Sequence, residues 1–370
     1  MKQTIKRLYQ FLIIASIGVI VFVLFLSTPL FLATNDFSIY NPDWNGCSDL
    51  AIKTYETGKL QPTYYVEESE LTIGHRSFAD YDLEPHNSTI ILIGPRLSFS
   101  TSEGTYLKNF LNEGGMLLVA DDFGTGNDIL KKLNTTTRFS GKLLLDLSFD
   151  KNASFATMFE FQNTSSPLVK NLTTILGNYP SSLTKQKNMT NVTILIVSTE
   201  MSWLDENRNG KQDSKEPKGP FPILAVERYG QGHIVLLSDP SLLINSMKEP
   251  SNNNLFRDNL FHYLYQGRST VIIDESHRDY STFFYITYIF PTMISWELKA
   301  AIVLLVLGAF LVGFTNIPTL IIKTILRIRL RSKEPPAEAS IDTILDEVMK
   351  KHPSWNKTKL ESMVRRLEKP

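Results

Sequence analysis

The sequence is poor in cysteine, with Cys47 as the single thiol among 370 residues. One thiol excludes a disulfide within the chain, a Cys-x-x-Cys redox motif and a zinc site built from cysteines. Net charge is lacking as well, because 38 basic side chains balance 38 acidic ones, and this gives no indication of a nucleic-acid partner. Apolar residues are present in an ordinary amount, 42%, which excludes disorder of the whole chain.

Two long stretches without charge predict two membrane-spanning helices. Residues 8–33 hold no charged side chain and are apolar almost throughout, about the length needed to cross a hydrocarbon core of roughly 30 Å. A cleaved signal peptide is the alternative, but its apolar core is normally only about 7–15 residues long. Residues 299–322 are uncharged after Lys299. We therefore predict transmembrane helices at 8–33 and 299–322.

The basic residues that flank these stretches predict the topology. Residues 1–7 carry three basic side chains, and the tail 323–370 begins with a basic stretch. Positive flanks stay in the cytoplasm, so we predict a two-pass cell-membrane protein in contact with membrane lipid, with both termini cytoplasmic and residues 34–297 extracytoplasmic. Residues 34–297 carry 22 basic and 31 acidic side chains, and the two ends carry the remaining 16 and 7. The net charge of zero is thus the sum of −9 on residues 34–297 and +9 on the two ends.

The extracytoplasmic part divides into a domain, residues 34–281, and an aromatic segment, residues 282–298, that we predict to lie at the membrane interface. The domain contains seven triplets of the Asn-x-Ser/Thr form, which make it a glycoprotein candidate. They begin at Asn87, Asn134, Asn152, Asn163, Asn171, Asn188 and Asn191.

Strand-like and helix-like segments alternate along the domain. Strands are predicted at Thr63–Val66, Thr89–Ile93, Met116–Ala120, Val192–Ser198, Phe221–Glu227, Ile234–Leu237 and Thr270–Ile273. Helices are predicted at Leu50–Thr57, from a Ser102 cap through Asn112, and at Asn254–Tyr265. This alternation predicts an α/β fold, a flavodoxin-like three-layer sandwich with a largely parallel sheet. We expect the last strand, Thr270–Ile273, to close the sheet, and the turn at Gly230 to join two strands as a hairpin. Residues 135–182 fit the pattern poorly and suggest an inserted hairpin with a long loop.

Three motifs in order resemble the domain-of-unknown-function 4350 family. They are the run Gly114–Asp121, the run Gly230–Ser241 followed by Asn245, and the segment Ile273–His277. The resemblance covers roughly residues 34–290 and implies a membrane-anchored protein whose outer domain is similar to class I glutamine amidotransferases. It also implies a place in an assembly or maturation system with a MoxR-type ATPase. Amidotransferase chemistry needs a nucleophilic cysteine on a strand-to-helix turn, and Cys47 lies outside any such turn, so glutamine hydrolysis is not expected.

Residues 205–216 match the calcium-loop pattern D-x-[DN]-x-[DN]-G-x5-E at every specified position. Calcium prefers six to eight oxygen ligands. The predicted ligands are Asp205, Asn207, Asn209, the carbonyl of Lys211, Asp213 and Glu216. A strand-like entry and three following prolines predict a loop between strands, and not a helix–loop–helix sensor, with an affinity of about 10⁻⁴–10⁻³ M. A solvated Asn-Gly turn is the alternative.

Four ionisable residues follow predicted strands and are weak catalytic candidates. Asp121 and Asp122 end one strand, and Asp274 and His277 follow the last. In open α/β sheets ligands bind beyond the carboxyl ends of strands, so these groups could act as acid and base or hold a metal. The alternative is a structural role in loop capping and hydrogen bonding.

Two amphipathic stretches within residues 340–368 predict a helical hairpin in the tail. A hairpin this small buries little apolar surface alone, so it is a predicted docking surface for a cytosolic ATPase or other protein. Packing of the two helices on each other or on the inner leaflet is the alternative.

Three functions remain open on the sequence. The leading one is a non-enzymatic, membrane-anchored binding and assembly protein with a calcium-stabilised, amidotransferase-like domain and an extracytoplasmic ligand or protein partner. An extracytoplasmic hydrolase that uses the acidic and histidine cluster is the second. An accessory subunit of a membrane transporter is the third, although polar residues inside the predicted spans are confined to Thr315 and Asn316.

Overall fold

The computed structural model describes most of the chain. The described residues are 34–60, 70–74, 77–148, 157–158, 160–185, 191–249, 251–280, 295–314 and 341–367, with Gln10, Ile13, Ile17, Gly18 and Phe284. The chain divides into two compact units, Thr28–Met293 and the combination of Met1–Ser27 with Ile294–Pro370.

The first unit contains four helices and fourteen strands within its described residues. The helices are α1 (Ser48–Leu60), α2 (Thr101–Asn112), α3 (Gly126–Leu133) and α4 (Asn253–Tyr265). The strands are β1 (Glu70–Gly74), β2 (Ser88–Ile93), β3 (Met116–Ala120), β4 (Thr137–Phe139), β5 (Leu143–Leu145), β6 (Thr157–Met158), β7 (Glu160–Phe161), β8 (Ile175–Leu176), β9 (Leu183–Lys185), β10 (Val192–Val197), β11 (Trp203–Asp205), β12 (Pro222–Tyr229), β13 (Gly232–Leu237) and β14 (Thr270–Asp274). The strand predicted at Thr63–Val66 lies outside the described residues.

Eight strands form one mixed sheet in the order β1-β14-β2-β3-β13-β12-β10-β7. The first five in this order run parallel, and β12, β10 and β7 continue the sheet antiparallel. Strand β14 was expected to close the sheet, but it lies between β1 and β2. Its four buried residues, Val271–Asp274, suit an interior parallel strand that is covered on both faces.

Alternate side chains of the strands enter two separate apolar clusters, one on each face of the sheet. In β2, Ile91 and Ile93 face the cluster that contains residues of α1 and α4, whereas Ile90 and Leu92 face the cluster that contains residues of α2 and α3. The alternation follows from the two-residue period of a strand. The structure is therefore a mixed α/β sheet with helices on both faces.

The N-cap of helix α2 lies two residues before the predicted Ser102 cap. Its N-cap is Ser100, whose hydroxyl oxygen accepts a hydrogen bond from the Glu103 backbone N–H at 3.2 Å. The Glu103 carboxylate accepts one in return from the Ser100 backbone N–H at 2.6 Å. This reciprocal capping box satisfies two backbone donors that a cap at Ser102 would leave open.

The hairpin predicted around Gly230 is present. Strands β12 and β13 pair from Leu224 opposite Leu237 down to Tyr229 opposite Gly232. Gly230 has a positive φ of 57°, and a β-carbon there would lie 2.5 Å from the side-chain oxygen of Asn112, so the turn needs glycine.

The described parts of residues 135–182 contain several short strands and not one inserted hairpin. Strand β4 pairs with β9 and β5 with β11, beyond this region, whereas β6 and β8 pair with each other inside it. The pairing of β5 with β11 brings the start of the predicted calcium loop against the main body of the domain.

The second unit contains α5 (Trp296–Phe314), α6 (Ile341–Lys351) and α7 (Lys357–Leu367). Among the residues that the structure describes, no helix combines the length and apolar character of a membrane span. Helix α5 carries Glu297 and Lys299 in its first turn and does not meet that requirement over its described residues. The transmembrane helix predicted at 299–322 is therefore wrong.

The rest of the membrane prediction has no support either. Residues 8–33 lie outside the described residues except at four positions, and so does nearly all of the predicted interfacial segment 282–298. Because no spanning helix is found in the described part of the chain, the two transmembrane helices of the predicted fold class are wrong. The two-pass cell-membrane localisation, with 34–297 outside and both termini inside, is corrected for the same reason.

Candidate functional site

Parallel strands β2, β3, β13 and β14 end at one edge of the sheet, which we call the carboxyl edge. Asp121 and Asp122 follow β3, Asp274 is the last residue of β14, and His277 lies three residues beyond it. All four weak catalytic candidates therefore lie at this edge.

Asp121 holds the loop that leads into α3. Its carboxylate oxygens accept hydrogen bonds from the backbone N–H groups of Gly124 at 3.0 Å and Gly126 at 2.7 Å. A β-carbon at Gly126 would lie 2.6 Å from Asp121 Oδ2, so the loop closes tightly around the carboxylate. Burial raises the pKa of Asp121, although the two N–H donors oppose the shift. The contacts are those of a structural cap.

Two further carboxylates at the carboxyl edge, Asp122 and Asp239, act on each other electrostatically. Burial raises the pKa of Asp122 to about 6 and that of Asp239 to about 8, and neighbouring carboxylates add to both shifts. Asp239 is fully buried and accepts hydrogen bonds from the backbone N–H groups of Ser241 at 3.0 Å and Asn178 at 2.9 Å. It caps the short helix Pro240–Leu243, as its position before a proline suggests.

His277 lies between two carboxylates. Its Nδ1 is 2.8 Å from Asp274 Oδ2, its Nε2 is 3.4 Å from Glu103 Oε1, and its ring stacks on Phe99 with centroids 3.9 Å apart. All of these side chains are buried. Burial alone would lower the pKa of His277, but the hydrogen bond and charge of Asp274, with the charge of Glu103, raise it above its ordinary value. The raised pKa favours the protonated form of His277, and both ring nitrogens already face carboxylates.

Ser276 does not complete a catalytic triad with His277. Its hydroxyl is 3.1 Å from Nδ1, the same ring nitrogen that faces Asp274. A triad needs the hydroxyl and the carboxylate on different ring nitrogens, so that one nitrogen can take the proton of the nucleophile. Here the other nitrogen faces Glu103, a residue that the sequence analysis missed although the Ser-x-x-Glu capping pattern marks it.

The structure keeps the two pairs of candidates apart. Strand β2 lies between β3 and β14, and no hydrogen bond or ion pair in the described residues links Asp121 or Asp122 to Asp274 or His277. Three cavities in the described part of the domain are lined by other residues, and the four candidates do not contribute to them.

A further buried ion pair, between Arg278 and Glu275, lies at the carboxyl edge. Arg278 Nε is 3.3 Å from Glu275 Oε2, and its other nitrogens donate to the carbonyl oxygens of Gly94 at 2.9 Å, of Phe37 at 3.0 Å, and of Ile93. Burial raises the pKa of Glu275, although the charge of Arg278 opposes the shift. We call the contacts of Glu275 and Arg278 with residues 35–39 the clasp.

Cys47 is also buried, at the start of α1. Burial raises the pKa of its thiol to about 12. A buried thiol with a raised pKa is a poor nucleophile.

The predicted calcium loop folds around its own carboxylates. Asp205 ends β11 and accepts hydrogen bonds from the backbone N–H groups of Asn209 at 3.0 Å and Gly210 at 2.8 Å. Glu216 accepts from those of Glu206 at 2.9 Å and Asp213 at 3.0 Å. Asp205 and Glu216 are both buried although the loop between them is exposed.

The remaining predicted ligands also form hydrogen bonds within loop 205–216, which closes into a ring of side chains and backbone N–H groups. The side-chain amides of Asn207 and Asn209 donate to Asp213 Oδ2 at 2.7 and 2.9 Å, and the backbone N–H of Lys211 donates to the side-chain oxygen of Asn209 at 2.7 Å. No group of three or more His, Cys, Asp and Glu side chains in the described residues is placed to hold a metal. The donor set is all oxygen, which fits calcium, provided that the two amides rotate their oxygens toward the ring.

Comparison with known proteins places the chain in a family. Residues 39–258, more than half of the chain, match the family described as Domain of unknown function (DUF4350). The chain belongs to the DUF4350 family. The resemblance stated from the three motifs is thereby confirmed, whereas membrane anchoring and an amidotransferase-like domain do not follow from the match.

Three individual proteins are similar to parts of the DUF4350 chain. An uncharacterized protein encoded in the nifH1 5′ region of Methanothermococcus thermolithotrophicus is 27% identical over 101 residues, which are 26% of this chain and 90% of that protein. The mmIFT52 N-terminal domain has 17% identity and a TM-score of 0.38, over 48% of this chain and 76% of that one. The β-galactosidase of Bacillus circulans sp. alkalophilus has 8% identity and a TM-score of 0.32, over 52% of this chain and 24% of that enzyme.

The predicted helical hairpin of the tail corresponds to helices α6 and α7. Lys357 Nζ forms an ion pair with Asp346 Oδ1 at 2.7 Å that links the two helices. Leu345 is buried, but Ile344, Trp355 and Met363 are exposed by half or more of their surface. The pair therefore presents apolar side chains that its own packing does not cover.

Proposed function

We propose that the DUF4350 domain of this chain is a non-enzymatic binding and assembly module whose loop 205–216 is stabilised by calcium. The observation that carries the first part is the environment of His277. Both of its ring nitrogens face carboxylates, and the ring is enclosed by Phe99. A general base needs a free nitrogen within reach of a substrate proton, and this histidine presents none.

The hydrolase alternative is less well supported for two further reasons. Asp121 already accepts two backbone hydrogen bonds, and Asp274 and His277, on the far side of β2, are bonded to each other instead. A hydrolytic site needs a nucleophile, a base and room for a substrate at one place. The carboxyl edge offers acidic groups that stabilise loops.

Calcium binding is tested by thermal unfolding of the full chain with 10 mM CaCl₂ against 10 mM MgCl₂. A site with a dissociation constant of about 10⁻⁴ M should then gain about 2.7 kcal/mol of stability from calcium. Asp205→Ala, and the milder Asp213→Asn, should abolish the gain. Glu206→Gln is the matched control, since this side chain pairs with Lys142 outside the ring and should leave the gain unchanged.

Two results would reject the calcium site. One is a wild-type chain that calcium does not stabilise beyond magnesium. The other is a gain of equal size in Asp205→Ala and wild type, which would place the bound calcium elsewhere.

The partner that the family resemblance implies is a MoxR-type ATPase, and we propose α6 and α7 as its docking surface. The exposed side chains of Ile344 and Met363 support this. Purified full-length chain should co-elute with the purified ATPase in size-exclusion chromatography, and Met363→Asp should prevent it while the neighbouring Ser362→Asp should not. Co-elution that survives both Met363→Asp and a chain ending at Lys323 would remove the tail from the proposal.

A further inference from the structure

The largest of the cavities described above, about 440 Å³, lies away from the carboxyl edge. It opens over β10, β12 and β13, beside α4 and the short helix Pro167–Val169. Its lining residues are Asn163, Ser166, Pro167, Asn191, Thr193, Leu195, Val226, Arg228, His233 and Tyr263. Its volume is within the range of small-molecule sites, roughly 300–1,000 Å³.

Two basic side chains face each other in this cavity. Arg228 and His233 are directly opposite across the β12–β13 ladder, a position at which like charges destabilise a sheet. Arg268 is a third basic group close enough to act on His233: burial, then the charges of Arg268 and Arg228, lower the pKa of His233.

Nothing in the described part of the domain neutralises this cluster. The lining contains no carboxylate among the residues that the structure describes, and none of the ion pairs found there involves Arg228, His233 or Arg268. The neighbouring Glu227 points to the opposite face, where it accepts hydrogen bonds from the backbone N–H groups of Thr136 and Thr137. An oxyanion bound here would pair with the Arg228 guanidinium and favour the protonated form of His233.

The rest of the lining divides into donors and an apolar wall. Ser166, Thr193 and Tyr263 bring hydroxyl groups, and Asn163 and Asn191 bring amides. Leu195, Val226 and Pro167 supply apolar surface next to them. Two hydrogen bonds link Asn191 and Arg228 at this side: the Arg228 backbone N–H donates to the Asn191 carbonyl at 2.8 Å, and the Asn191 side-chain amide donates to the Arg228 carbonyl at 3.0 Å.

We propose that this cavity binds a small organic anion, whose carboxylate or phosphate contacts Arg228 and His233 and whose uncharged part lies against Pro167, Leu195 and Tyr263. Guanidinium groups bind both oxyanions with paired, charge-assisted hydrogen bonds. The site goes beyond the proposed function and does not depend on it, because it shares no residue with loop 205–216 or with helices α6 and α7.

The test is calorimetric titration of the full-length chain with phenyl phosphate, benzoate and phenol. We expect binding of at least one of the two anions and none of phenol at up to 10 mM. Arg228→Gln should weaken that binding at least about tenfold, the loss expected for a hydrogen bond to a charged group, and His233→Gln should weaken it less. The stronger of the two anions identifies the preferred headgroup.

Arg96→Gln is the matched control, because it removes the same charge from an exposed position at the carboxyl edge. It should leave the affinity unchanged. Equal weakening by Arg96→Gln and Arg228→Gln, equal binding of phenol, or no binding of either anion would overturn the proposal. Calcium should stabilise Arg228→Gln as much as it stabilises the wild type. This result would show that the variant is folded and that the calcium loop and the anion cavity can be tested independently.

Discussion

His277 and His233 lie at opposite edges of the same sheet and have opposite surroundings. His277 is between Asp274 and Glu103, and its pKa is raised. His233 is beside Arg228 and Arg268, and its pKa is lowered. At the first edge the buried histidine faces groups of opposite charge, as buried charges in a stable core require. The second leaves like charges together around a cavity, an arrangement that lowers stability and that a ligand can correct.

The largest effect is expected where the carboxyl edge loses one half of a buried ion pair. Arg278→Met would leave Glu275 buried without its cation, and we expect a loss of about 3–5 kcal/mol in the free energy of unfolding, measured by urea denaturation. Lys53→Met is the control, since it removes a cation from a partly exposed ion pair and should cost about 0–1 kcal/mol. Similar losses of stability in the two variants would show that Arg278 and Glu275 do not behave as a buried ion pair.

A smaller and pH-dependent effect is expected for His277→Gln, about 2 kcal/mol at pH 5.5. Because the folded pKa of His277 is above its unfolded value of about 6.5, its stabilising contribution is complete below pH 6.5 and is lost as the pH rises through the folded value. The difference between wild type and variant should therefore shrink between pH 5.5 and 8.5, as followed by urea denaturation at both pH values.

The same substitution at the other edge is the control for this pH dependence. His233 has a lowered folded pKa, so its protonation destabilises the folded chain as the pH falls. His233→Gln should gain stability relative to wild type toward pH 5.5, the opposite direction. Two variants that respond to pH in the same direction would contradict the contrast between the edges.

The smallest effect has the opposite sign to the first. Arg228→Gln removes one of two like charges that face each other across the ladder, and it should raise the free energy of unfolding by about 0.2–1 kcal/mol in the absence of ligand. Urea denaturation at pH 5.5, where more of His233 is protonated, gives the clearest measurement. A loss of stability would show that Arg228 has a structural partner and that the cavity does not need an anion.

Local patterns in the sequence predicted local structure well. Strand β3 has its predicted bounds, and α4 and the Gly230 hairpin lie within a few residues of theirs, because apolar runs and a Gly-x-Gly turn act over short distances. The like-charged pair Arg228 and His233 was also accessible, since a two-residue turn fixes which residues face each other. The prediction of the hairpin did not include the pairing of its basic side chains, so this pair was missed.

Long-range contacts could not be read in the same way. Glu103 meets His277 across 174 positions, and Arg278 reaches the carbonyl oxygens of two other segments. The position of β14 inside the sheet brings these groups together, and no local pattern gives strand order. The membrane prediction was wrong for a related reason: hydropathy shows an apolar run, but it does not show whether that run forms a helix able to span a membrane, and no such helix is found among the described residues.

The clasp also determines how the α/β domain responds to mechanical load. Asn35 donates a hydrogen bond to the Asp279 carbonyl at 2.9 Å, and the hydroxyls of Ser38 and Tyr280 are 2.6 Å apart, so the chain enters and leaves the domain at one point. Tension applied between these two segments would load these contacts together with the hydrogen bonds from Arg278 to the carbonyl oxygens of Asp36 and Phe37. We therefore expect the domain to resist such a load through several hydrogen bonds that act in parallel, before any strand of the sheet is pulled from its neighbour.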